Sequence, residues 1–117
     1  MEHFLHIYSP YTLLPFTINF AENARINMTK AFYSNSNLES LPNINWNGAY
    51  SLYMSNCFSS CLRVKNIDET FFNGADKSKF KDVNCKEMFA YMKSLRTISP
   101  EFLSYFKNFN VSSSNKD

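Results

Sequence analysis

Glycine occurs only twice in the 117 residues, at Gly48 and Gly74, too few for a glycine-rich loop that cradles phosphate. Nucleophile-elbow, zinc-protease, Walker and dinucleotide fingerprints are absent too, so the sequence offers no enzyme motif. Cysteine is scarce and odd in number (Cys57, Cys61 and Cys85), which excludes complete intramolecular pairing. Reduced thiols and a cytoplasmic setting are the simplest expectation. Charge is sparse. Twelve basic against ten acidic residues give a net +2, small for a protein that binds phosphate backbones by many Lys and Arg contacts. A long apolar run is missing as well. His3 to Ala21 carries no Asp, Glu, Lys or Arg, but Pro10 and Pro15 interrupt it, and Glu2 stands where a secretory leader would be basic. No membrane association is expected.

What the chain has in quantity is aromatic area: twelve Phe, seven Tyr and one Trp. Each buried ring removes roughly 150–250 Å² from water, so a core can form without metal or disulfide. Fifteen Asn and fifteen Ser dominate the polar share, and 44% hydrophobic with 19% charged residues excludes a disordered chain. The length fits one compact domain, taken as 1–110, followed by a flexible tail at 111–117.

Local patterns suggest the following order. Phe4-Leu5-x-Ile7-Tyr8 reads as a short strand or extended arm, and residues 10–18 as irregular. Asn19 with Glu22 resembles a capping box, and Ala21, Ala24, Met28 and Ala31 predict a helix near 20–34. Asn47-Gly48 and Asn73-Gly74 are hairpin signals; between them, alternation through Tyr50–Met54 and Cys57–Val64 predicts a meander. Asn84 with Glu87 predicts a second helix lined by Met88, Tyr91, Met92 and Leu95, and Ser99-Pro100-Glu101 starts a third, with Phe102, Leu103, Phe106 and Phe109 on its apolar stripe. No internal repeat is read. The expected fold is α+β: a small antiparallel β-meander sheet packed by one N-terminal and two C-terminal helices.

Cys57, Cys61 and Cys85, with His3 or His6, are the only metal-like set. A strand would hold Cys57 and Cys61 about 13 Å apart, beyond one metal's reach. No cofactor, metal or catalytic residue is assigned. The partner-binding candidates are Arg63, Lys65, Lys77, Lys79 and Lys81 as a charged strip, with Tyr53, Phe71 and Phe72 as apolar anchors. An extended Lys77-x-Lys79-x-Lys81 would present three ammonium groups on one side.

These features point to a non-enzymatic protein-binding module. The AT-rich codon usage implied by Phe, Tyr, Asn, Lys and Ile suggests a small phage, virus or mobile-element accessory protein that inhibits or modulates a host protein, such as a defence factor. A nucleic-acid-binding accessory protein using the lysine strip, or a small structural subunit of a large assembly, are the alternatives.

Overall fold

Four-residue turns that open on an apolar or cysteine residue organise the chain. In the computed structural model, which describes residues 2–107, turns close at Met28–Ala31, Phe32–Asn35, Met54–Cys57, Phe58–Cys61, Cys85–Met88 and Phe89–Met92. In each, the last N–H donates to the first carbonyl. Each needs a left-handed third residue, and Lys30, Ser34, Asn56, Ser60, Glu87 and Tyr91 all have φ between 54° and 64°. Asn tolerates this conformation better than most residues. Asn23 and Asn47 adopt it too. The abundance of Asn beside two glycines therefore has a backbone use.

These turns stack. Met28, Lys30, Phe32 and Ser34 donate to the carbonyls of Tyr53, Ser55, Cys57 and Ser59, each 25 positions on. Met54, Asn56, Phe58 and Ser60 donate to Asn84, Lys86, Met88 and Ala90, each 30 positions on. The chain is thus a short solenoid of four coils, each resting on the next. Strand β1 (Glu2–Phe4) pairs with β3 (Arg25–Asn27), which pairs with β5 (Tyr50–Tyr53), and Tyr53 bridges to Asn84. Two smaller ladders join β2 (Ile18–Asn19) to β4 (Ile44–Asn45), and β6 (Asn66–Ile67) to β7 (Thr97–Ile98). All these pairings are parallel.

This overturns the expected antiparallel meander and its three packing helices. Asn47-Gly48 is a tight turn, but it joins β4 to β5, which belong to different sheets. Gly48 is required there: φ is 78°, and a Cβ would collide with the Asn23 side chain of the preceding coil. The helices expected at 20–34 and after Asn84 are strands and stacked turns instead. Asn84 Oδ1 does accept a local bond, from Lys86 N–H at 3.2 Å, but no helix follows. Only the start at Pro100 becomes helical, as the single turn α1 (Pro100–Leu103), with Ser99 Oγ accepting the Glu101 N–H at 3.1 Å. Phe109 and the tail 111–117 lie outside the described residues.

An internal repeat emerges where none was read. Phe32, Asn35, Leu38 and Leu41 align with Phe58, Cys61, Val64 and Ile67, and with Phe89, Met92, Leu95 and Ile98. Every third residue turns inward. The ladder Phe32–Phe58–Phe89 runs through the core, with ring centroids 5.9 and 6.0 Å apart and planes within 6° of parallel. Beside it, Trp46 is fully buried among Phe20, Phe71, Phe72 and Phe80, its indole N–H donating to the Phe71 carbonyl at 2.8 Å. Phe102 stacks on Phe72 at 5.0 Å and fills the last coil.

Candidate surface on the first parallel sheet

The lysine segment owes its position to a change of register. Gly48 N–H bonds to Gly74, 26 positions on, whereas Met54 N–H bonds to Asn84, 30 positions on. The additional residues bulge out between Ala75 and Asn84 and include a 3₁₀ turn, Lys77–Lys79, capped by Asp76. That turn packs against β5. The segment is therefore not an extended strip, and its lysines diverge. Lys77 Nζ donates to Ser104 Oγ at 2.7 Å, lies 3.7 Å from Glu101 and covers the Tyr105 ring. Lys79 is 3.9 Å from Asp76 and lies over the Tyr50 ring at 5.5 Å. Lys81 is exposed.

Tyr50, Leu52, Ser78, Lys79 and Lys81 line one shallow depression of about 310 Å³ beside β5. Tyr53, at the end of the same strand, is 44% exposed. Two of the expected partner-binding residues, Lys79 and Lys81, thus line one depression, whereas Tyr53 follows Leu52 in the strand without lining it. Arg63 and Lys65 are exposed but lead into β6, in a different sheet, and do not line this depression. Phe71 and Phe72 are corrected outright. They are 4% and 2% exposed and belong to the core, packed on each other at 5.1 Å and on Trp46 and Phe102. Their doublet reads as an anchor only if the segment is a surface loop, whereas the 3₁₀ turn Glu69–Phe72 turns both rings inward.

The largest exposed apolar side chains were not anticipated as a surface. Phe4, Tyr8, Tyr11, Leu13 and Phe16 are 57–76% exposed and all lie on the first coil. The signal was present in the sequence: the uncharged stretch His3–Ala21, with two prolines, cannot present charge to solvent.

The cysteines are also rearranged. Cys57 and Cys61 do not share a strand face; Cys57 precedes the turn that Cys61 closes, and all three cysteines are buried and outside any disulfide. Cys61 Sγ donates to the Phe32 carbonyl at 3.1 Å. Burial pushes the Cys61 thiol up to about 12. Burial, together with the neighbouring Cys61, raises Cys57 well above its ordinary value. Such thiols are poor nucleophiles at neutral pH. All three should react with a thiol reagent at pH 8 only after unfolding, and rapid labelling of the folded chain would contradict their burial. Stability should also fall in alkali. The folded pKa of Cys61 lies above the unfolded value of 9.0, so its contribution is complete below pH 9 and is lost as pH rises towards 12. The loss amounts to about 4 kcal/mol across that window. Cys61→Ala should flatten this part of the pH–stability curve in urea titrations.

Among the described residues, no cluster of three His, Cys, Asp or Glu side chains is placed to hold a metal, and no helix is long and apolar enough to cross a membrane. No protein-family model, curated protein or solved structure matches the chain.

Proposed function

We propose that the chain is a non-enzymatic protein-binding module acting in the cytoplasm, and that it works as a small accessory factor modulating a larger protein. The observation that carries this reading is the depression beside β5, where the ring of Tyr50 and the side chain of Leu52 are bordered by Lys79 and Lys81, next to the half-exposed Tyr53. Apolar anchors within a charged rim are a common interface layout. A stack of parallel coils also presents its outer sheet as a continuous, rigid surface. The lysines suit an acidic partner surface. They suit a nucleic acid less well, because the whole chain carries a net charge of only +2.

The test is the double reversal Lys79→Glu with Lys81→Glu, combined with a photoreactive phenylalanine analogue replacing Tyr53. Cross-linking in host-cell extract should yield one acidic protein adduct, and the reversal should abolish it at low salt without changing the melting curve. No protein adduct, or one indifferent to the reversal, sinks the reading. Lys77 is left intact because it does not line the depression and is held by Ser104, Glu101 and the Tyr105 ring.

A further inference from the structure

We propose that the first coil is the interface of a closed, head-to-head dimer of this chain. Terminal coils of a solenoid need a polar outer face or a cover. Here residues 3–21 contain no Asp, Glu, Lys or Arg, and five large apolar side chains (Phe4, Tyr8, Tyr11, Leu13 and Phe16) are each more than half exposed. An exposed apolar patch of this kind marks an interaction site.

Three observations make a second first coil the occupant. The first is charge. A two-fold interface lays each group near its own symmetry mate, so like charges must be few, and this coil has none over nineteen consecutive positions. The opposite end of the solenoid carries Lys86, Glu87, Lys93, Arg96, Glu101 and Lys107, and Tyr91 is its single large exposed apolar side chain among the described residues. A head-to-tail stack would therefore press an apolar face onto a charged one.

The second is the strand edge. In the sheet order β1-β3-β5, strand β1 is paired on one side only among the described residues. A two-fold axis would bring a second β1 alongside it running antiparallel, and an antiparallel ladder is a sound pairing. The contact is closed, because it consumes the one free apolar end of each copy.

The third is size. The molecule measures 33 × 32 × 22 Å. Four strand levels spaced about 4.8 Å apart occupy roughly 14 Å before side chains are added, so the stacking axis lies along the shortest dimension. The end face then spans 33 × 32 Å, or roughly 800 Å² as an ellipse, close to what each partner buries in a standard stable interface.

Sedimentation velocity and light scattering on the full chain should show a reversible species of twice 13.7 kDa in the micromolar range. Leu13→Glu with Phe16→Glu should raise the dissociation constant at least tenfold and leave a 13.7 kDa monomer with an unchanged circular dichroism spectrum. Tyr91→Glu, at the other end, should leave the dimer intact. Hydrogen exchange on the unmodified chain, compared between dilute and concentrated samples, gives a readout that needs no variant: added protection should be confined to residues 2–20. A monomer at all accessible concentrations overturns the proposal. So do protection gained elsewhere, open-ended assemblies, or a dimer that survives the double substitution.

Discussion

Phe58→Ala should destabilise the fold by about 3–5 kcal/mol, the usual cost of emptying a buried phenylalanine site. Phe58 is fully buried and is the middle ring of the ladder, stacked between Phe32 and Phe89 and touching Phe71 at 5.3 Å and Phe102 at 6.1 Å. The backbone at this position is tied to the coils on both sides, since Phe32 N–H bonds to Cys57 and Phe58 N–H bonds to Met88. The cavity therefore cannot close by shifting one coil without breaking a ladder. Thermal unfolding, followed through the emission of the single buried Trp46, should move down by roughly 10–20 °C. Phe58→Leu keeps most of the volume and should cost less than about 1.5 kcal/mol. A loss under about 1 kcal/mol for the alanine variant would show that the ladder is not the centre of the core.

Asn35→Leu should detach the first coil from the other three. Asn35 is wholly buried and uses every side-chain bond at hand. Its Oδ1 accepts the Ser9 N–H at 2.7 Å, and its Nδ2 donates to the Ile7 carbonyl at 2.7 Å and the Phe32 carbonyl at 2.9 Å. Two of these bonds reach across to the first coil. Ser9 is itself buried, so a leucine would strand its N–H without water, at about 1–3 kcal/mol for each group left unsatisfied. The effect should be local. Amides at residues 5–20 should lose protection against hydrogen exchange, while those at 54–64 keep it. Asn35→Asp is the sharper variant: its carboxylate still accepts from Ser9 but sets an acceptor against two carbonyls. Equal loss of protection in all coils would mean that the first coil is not an independent unit.

The lesson for reading such a chain lies in the spacing of three. Ala21, Ala24, Met28 and Ala31 fit one face of a helix, and Met88, Met92 and Leu95 fit another. The same interval is produced by successive turns of four residues followed by extended chain, each presenting one side chain inward. Periodicity within one segment cannot separate these two. Comparison between segments can: Ala31-Phe32, Cys57-Phe58 and Met88-Phe89 each open a run in which the third, sixth and ninth residues after the Phe are mostly apolar. The paired Phe is the mark of the repeat, and the five residues added before the last coil obscure it. The candidate surface was partly legible. Lys79 and Lys81 lie beside one depression, because a lysine-rich turn has nowhere to go but the surface, while Tyr53 lies outside its lining. Phe71 and Phe72 do not join them, since burying two rings outweighs leaving them beside the lysines.

By itself, the sequence determined that this chain folds around aromatic rings, that its odd number of cysteines excludes complete internal pairing, and that two of its tight turns fall at Asn47-Gly48 and Asn73-Gly74. Those follow from composition and from backbone sterics, which act locally. Only the tertiary structure decided that the strands run parallel, that Trp46 and the Phe71-Phe72 pair are interior, and that the uncharged stretch forms a coil at one end of the stack. Those outcomes depend on which coil lies against which, and each coil buries its inward row only when the next one covers it.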